Sequence, residues 1–314
     1  MTGATGVIGR RLVPLLRARG DEVTAAVRAD TKAAALVRAG ARPIVVDLFD
    51  EDSVRPAMAG HDAVVNLATH MPASAAAMFL PGAWHENHRL RRTASAVLVD
   101  AAIALDISRF VQESFALTYA DHGAEWIGED EPIEPARYNR TVSDAERSVT
   151  RFMADGRDGV VLRFAAFYGP DSRLLSDMIS AIEHGWSPLP GPADAYISSV
   201  SHDDAATATL AALALEAGTY NVVDDEPLRH REFVDSLADA VGASHPRLVP
   251  PSLARIAGSM ARTMARSLRI SNARLRATGW APRSRSARDA WPDVVARLAR
   301  PVAISGGHPG EART

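Results

Sequence analysis

The chain opens with MTGATGVIGRR (residues 1–11), and the reading of that stretch decides the fold. Gly3, Gly6 and Gly9 form a G-x-x-G-x-x-G loop. Such a loop joins a buried strand to a helix and turns backbone N–H groups toward a pyrophosphate at the positive helix end. The bare spacing is equally compatible with a plain turn. Its context is more specific: VIGRRLVPLLRARG (7–20) has apolar residues at helical spacing and stops at Gly20, a helix C-terminal signal. In front of the loop, where the strand belongs, stands only Met1.

Outward from the loop, elements alternate. EVTAAVR (22–28) reads as a strand, TKAAALVRAG (31–40) as a helix, PIVVDL (43–48) as a strand, SVRPAMAG (53–60) as a short helix and DAVVNLA (62–68) as an apolar strand. Residues 87–106 read as one long helix, RFVQES as a strand, 138–154 as a helix and GVVLRFAAFYG (159–169) as a strand. Unbroken Val/Ile/Leu strands alternating with helices imply an α/β fold with a parallel sheet covered on both faces. Beyond residue 170 the order changes. SPLPGPADAYISSV is rich in Pro and Gly, TYNVVD is a short strand, and 229–242 and 250–277 read as helical. The expected organisation is a dinucleotide-binding domain over 1–170, with strand and helix contributions from 195–225. A smaller, mainly substrate-binding region follows over 171–298, and a disordered tail over 299–314.

Composition narrows the function. The chain has 314 residues, 47% of them apolar and 23% charged, as in an ordinary globular protein. A net charge of −3 gives no electrostatic reason to expect nucleic acid or an anionic membrane as partner. The absence of cysteine excludes disulfides, thiolate metal sites and a Cys nucleophile. His85, His88 and His122 lack ligand-like spacing, so no metal site is expected. No apolar run has transmembrane length and no leader-like segment is visible, so a cytoplasmic protein is expected. Lys32 is the single lysine in the chain.

TGATGVIG, VVDLFDEDSV, DAVVNLA, RFVQES before Tyr119, Tyr138 with Ala145-Glu146, LRFAAFYGP, SSVSHDDAA, YNVVDDEP and ATGWAPR follow one another in a fixed order over about residues 1–298. This ordered set resembles the extended short-chain dehydrogenase/reductase group, the NAD-dependent epimerase/dehydratase family. The resemblance implies a Rossmann-type doubly wound sheet with a dinucleotide across the strand carboxyl ends, held by Gly3, Thr5, Gly6, Val7, Ile8 and Gly9. It places Asp47 and Leu48 at the adenine, and Leu67, Ala68 and Thr69 along the path to the nicotinamide. It also makes a homodimer an expected state. An acid after the second strand would take the ribose hydroxyls of NAD, whereas a cation accommodates the 2′-phosphate of NADP. Arg28 and Lys32 favour NADP over NAD, with Asp30 between them.

The catalytic positions depart from the family pattern. The resemblance implies a Tyr-x-x-x-Lys pair one helical turn apart, but YNRTV (138–142) carries Tyr138 and then Val142. On a helix, Arg140 would face away from Tyr138. A tyrosine with its ordinary pKa of about 10 is phenolate in roughly one molecule in a thousand at pH 7, and a neutral-pH base would need about 4 kcal/mol of help. The family's Ser/Thr position holds Phe115, with Ser114 adjacent and Glu113 a further acid at the same strand end. Neighbours on a strand point to opposite faces, so Ser114 replaces Phe115 only where the strand end is irregular. Tyr138, Ser114 and Glu113 are therefore the catalytic candidates, and Tyr138 also a cofactor contact.

Three functions remain compatible with these residues. One is an NAD(P)-dependent oxidoreductase or epimerase acting on a small carbonyl, hydroxyl or sugar-derived substrate. Another is a dinucleotide sensor without turnover. The last is a non-redox lyase or isomerase with Glu113 as base. The first is preferred, because Tyr138 and the substrate-side segments are intact. A doubly wound sheet centres on its first strand. The expectation is therefore a natural start about five to eight residues upstream, in a Val/Ile-rich strand.

Overall fold

Met1 and Thr2 occupy the place of the first strand. The computed structural model describes residues 1–29, 33–72, 74, 77–80, 82–250 and 258–298; Asp30, Lys32 and the expected tail at 299–314 lie outside the described residues. β1 (Thr24–Val27) pairs in parallel with β2 (Arg42–Val45). β3 (Ala63–Asn66), β4 (Arg109–Phe115), β5 (Asp158–Phe164) and β6 (Gly218–Val222) form a parallel four-stranded sheet in the order β6-β5-β4-β3. The two parts meet at the N-terminus. The Met1 amino group donates to Thr24 O at 2.6 Å, Ala26 N donates to Met1 O at 2.9 Å, and Thr2 N donates to Val65 O at 2.9 Å. The result is the doubly wound order, β2-β1-(Met1–Thr2)-β3-β4-β5-β6. Between β1 and β3, next to Met1, lies a narrow cleft of about 40 Å³ walled by Thr24, Ala26, Ile44, Val64 and Leu98.

Period-two alternation puts both faces of each strand to use. Val65, Val111, Val160 and Leu162 pack with Leu12, Val13 and Leu16 of α1 (Gly9–Arg19) and with Ala205 and Ala208. Val64, Phe110 and Val161 face the other way, onto Val54, Leu98, Val99, Val149 and Phe152. Those residues lie on α3 (Glu51–Met58), α5 (Ser95–Ala104) and α6 (Val142–Ala154); α2 (Ala33–Arg38) flanks β2, and α4 (His85–Arg89) precedes α5. Burial on both faces is why these strands read as unbroken apolar runs. A further core joins α7 (Arg173–Glu183) and α9 (His230–Val241), where Trp291 meets Tyr168 and Phe233 edge-on at 5.2 and 5.4 Å. Tyr168 is thus part of the core, whereas Trp186 is 53% exposed.

Several elements differ from the sequence reading. The helix expected over 87–106 is interrupted by a π-helical segment at Leu90–Ala94. The helix expected from 138 starts only at Val142, after a turn closed by Val142 N donating to Asn139 O. GVVLRFAAFYG breaks at Ala165 into β5 and a separate strand at Ala166–Tyr168 that pairs with Ser199–Ser201. The span 250–277 is not one helix. It holds α10 (Gly258–Met264), a strand at Arg269–Ile270 paired with Trp126–Ile127, and a short helix at Ala273–Arg276, while 251–257 lie outside the described residues. Pairing of Arg269–Ile270 with a remote strand is a tertiary contact that helical periodicity does not register.

At the start of α8 (His202–Ala211), His202 is 3% exposed and sits against Gly169, where a Cβ would come within 2.3 Å of its ring. Its Nδ1 is 2.8 Å from Asp171, which also receives Arg10 and Arg11. Burial, then the Arg11 and Arg10 charges, hold its pKa down at about 3, against Asp203. The unfolded chain then binds more protons than the native one between pH 3 and 6.5, so stability rises with pH through that window. Denaturant unfolding is expected to show a loss of about 1.6 kcal/mol from this residue between pH 6.5 and pH 5, and His202→Gln should flatten that slope.

Candidate active site

Two contacts fix the glycine loop. Gly3 has φ of 65°, and a Cβ there would lie 2.4 Å from Leu67 O. A Cβ on Gly9 would lie 2.2 Å from Gly3 O and 2.6 Å from Ala4 Cα. The loop thus rests on the end of β3, and α1 rests on the loop, with backbone where any side chain would intrude. The first turn of α1 carries no acidic residue and Ile8 provides no side-chain cap, which leaves the positive helix end open to an anion.

Above the loop is a cleft of about 810 Å³ along the carboxyl edge of the sheet, in the size range of cofactor sites. Gly3, Thr5, Gly6, Arg28, Asp47, Leu48, Leu67, Ala68 and Thr69 line it. Val7, Ile8 and Gly9 do not: Ile8 is buried under α1 and Gly9 begins that helix. Lys32 lies outside the described residues. The cleft also includes Phe49, Glu86, Arg89 and Leu90, which the sequence did not single out. The Arg89 guanidinium lies 3.9 Å from the Phe49 ring centroid and 3.4 Å from Glu86. The cradle and the cleft together fit a dinucleotide.

Tyr138 lines a second cavity, of about 570 Å³, with Met78, Trp84, His85, His88, Arg137, Arg140 and the first residues of α10. Arg140 therefore shares the cavity with Tyr138. Residues 138–140 form a turn, so the helical phase that would send Arg140 away does not apply. The Tyr138 ring tilts against Trp84 at 5.0 Å. Burial pushes its pKa up to about 12, despite the Arg91 and Arg266 charges and a hydrogen bond with Thr263.

The other catalytic candidates are engaged elsewhere. Ser114 is 1% exposed and donates to Glu146 at 2.5 Å. Glu146 in turn receives Arg163 Nε and Nη2 at 2.9 and 2.8 Å, and Arg163 Nη1 donates to Tyr119 Oη at 2.7 Å. Glu113 is buried with Arg91, at 2.8 Å. Neither Ser114 nor Glu113 lines the cleft or the Tyr138 cavity, and Val142 is fully buried at the first turn of α6. Arg91 Nε, Glu113 Oε2 and both amide atoms of Asn139 are buried without a hydrogen-bond partner among the described residues. Arg91 had no sequence signal, because the π-helical segment that carries it has no distinct residue pattern.

The chain belongs to the NAD dependent epimerase/dehydratase family, which matches residues 1–223. It is 34% identical over 310 residues to a Streptomyces 3-diazoavenalumate denitrifying reductase, covering 92% of this chain and 97% of that one. It is 31% identical over 257 residues to a Stenotrophomonas maltophilia 2-alkyl-3-oxoalkanoate reductase, covering 77% and 75%. A human epimerase family protein solved with NADPH superposes with a TM-score of 0.78 at 20% identity, over 94% of this chain and 98% of the other. The chain is accordingly an enzyme of the extended short-chain dehydrogenase/reductase type, an NAD(P)-dependent oxidoreductase or epimerase with a Rossmann-type fold. No helix of the described residues is long and apolar enough to cross a membrane.

Gly9→Ala is expected to force α1 off the loop. Overpacking of this kind costs about 1–3 kcal/mol, so thermal unfolding should shift downward and affinity for the reduced nicotinamide dinucleotide, read by fluorescence titration, should fall with it.

Proposed function

We propose that this protein is an NADPH-dependent reductase of a small organic substrate bound in the Tyr138 cavity, with Tyr138 acting as an un-ionised O–H donor. The observation that carries the reading is the retained Tyr138 with Phe115 and Val142 where the family's relay residues stand. With a pKa of about 12, Tyr138 is ionised in only about one molecule in 10⁵ at pH 7. It is suited to giving a hydrogen bond or proton and poorly suited to removing one, which favours reduction over epimerisation or oxidation. The Glu113 base reading is weakened by its buried pairing with Arg91.

Gly3, Thr5 and Gly6 would hold the pyrophosphate and Asp47 and Leu48 the adenosine, while Leu67, Ala68 and Thr69 would border the nicotinamide. Arg28 would meet the 2′-phosphate: β1 ends in Val27, and no acid stands at the next two positions, Arg28 and Ala29, to take ribose hydroxyls. When bound, the reduced cofactor supplies a hydride. What the protein must add depends on the acceptor. A ketone, as in the name of the Stenotrophomonas relative, needs a proton at oxygen, which the Tyr138 O–H can provide. A carbon bearing a diazonium group, of the kind suggested by the Streptomyces relative's name, loses N₂ with the C–N bonding pair and needs no proton from the protein. The missing lysine and serine are compatible with either acceptor, and the 34% identity favours the diazo-substituted one.

Steady-state NADPH oxidation with ketone and aryl diazonium panels tests this. Tyr138→Phe should lower kcat on a ketone by about 10²-fold or more and change diazonium reduction little. Tight NADPH binding without turnover on either panel would replace the reductase reading with that of a binding protein. Val142→Lys is expected to destabilise the fold, because the position is fully buried and a lone ammonium there lacks a partner. Arg28→Ala should weaken NADPH about tenfold, a loss of about 1.4 kcal/mol, with a much smaller change for NADH in the same titration.

A further inference from the structure

We propose that the Tyr138 cavity is built for a carboxylate on an aromatic or branched apolar body, with Arg137 and Arg140 as its counter-ions; this deepens the reductase reading and rests on it. Among the described residues, Arg137, Arg140, His85 and His88 line the cavity beside Tyr138, and no Asp or Glu does. Among the described residues Arg137 and Arg140 have no ion-pair or hydrogen-bond partner. Nearby arginines are matched: Arg89 by Glu86, Arg91 by Glu113, Arg92 by Asp144 and Arg266 by Glu134. In a chain of net charge −3, two unanswered guanidiniums on one cavity wall stand out.

The local field agrees with this. His88, whose Nδ1 is 2.9 Å from Thr141 Oγ1, is held below its ordinary pKa first by burial and then by Arg140, Arg91, Arg92 and His85. Met78, Leu80, Trp84 and Met260 line the same cavity. Trp84 donates its Nε1–H to Met78 O at 3.0 Å, so its ring is fixed and offers a face without a free polar atom. Leu80 is 62% exposed. The cavity thus offers cations for a negative charge and apolar side chains for a carbon body. An arginine pair suits a planar carboxylate, which can accept two parallel N–H bonds.

The test is a tryptophan-fluorescence titration of the full chain with 3-phenylpropanoate and with its uncharged analogue 3-phenylpropanamide, each with and without saturating NADP⁺. Thermal shift on the same samples is the second readout. The carboxylate is expected to bind about tenfold or more tighter than the amide. Arg137→Ala and Arg140→Ala should each reduce that preference and the double variant abolish it, whereas Arg140→Lys should retain part of it. Both side chains are exposed, so the ligand-free variants should melt at the wild-type temperature. Equal binding of acid and amide, failure of both to bind at millimolar concentration, a preference surviving in the double variant, or tighter binding of UDP-glucose than of the acid would each overturn the proposal. Loss of NADP⁺ binding would instead overturn the reductase reading, because the acid-over-amide preference is also read without dinucleotide.

Discussion

The sheet is one body because two residues make it so. Met1 and Thr2 carry the backbone hydrogen bonds that join β1 to β3, and the Thr2 side chain extends the joint. Its hydroxyl donates to Asn66 Oδ1 at 2.6 Å and accepts from Leu67 N and Ala68 N at 3.1 Å each. Asn66 Nδ2 then donates to Gln112 Oε1 at 2.9 Å. A buried polar chain therefore runs from the first residues across β3 to β4 at the carboxyl edge. The backbone that borders the cleft at Leu67 and Ala68 is held from below by Thr2, and the loop at Gly3 leans on the same Leu67. Each polar group in this chain is buried, so each must be answered by another. That requirement fixes the shape of the cleft floor.

A second buried network holds Ser114, the neighbour of the Phe115 that stands at the family's Ser/Thr position. Ser114, Glu146, Arg163, Tyr119 and Asn221 are linked by hydrogen bonds that connect β4, α6, β5 and β6. Breaking such a group by removing one partner leaves a buried charge uncompensated, at a cost of about 3–5 kcal/mol. The hydroxyl of Ser114 is therefore bound into the framework, and Tyr138 stands in its cavity beside cations that do not bring its proton within reach of neutral pH. On the reading proposed above, the part left to Tyr138 is donation of a hydrogen bond.

Much of this was legible in the sequence because it depends on local signals. Gly3, Gly6 and Gly9 announced the cradle, since close backbone approach leaves no substitute for glycine at Gly3 and Gly9. Val64-Val65 and Val160–Leu162 announced strands buried on both faces. Arg28 followed from its place at a strand end, and Asp47, Leu48, Leu67, Ala68 and Thr69 from the family resemblance; all line the cleft. What escaped was tertiary. The start of α6 at Val142 rests on a turn whose sequence, YNRTV, satisfies helical spacing equally well, and the place of Arg140 was misread with it. The engagement of Ser114 depends on Glu146 and Arg163, thirty-two and forty-nine positions away along the chain. Arg91 owes its place to a π-helical segment, and Phe49 and Arg89 meet across the cleft only once the sheet is folded.

The short helix α4 separates the two cavities. Glu86 and Arg89 face one, whereas His85 and His88 face the other. It runs without a break into the π-helical segment, which takes it out of phase with α5. One turn of helix is therefore a wall of both the cleft and the Tyr138 cavity, so a displacement of that turn on one side changes the lining of the other.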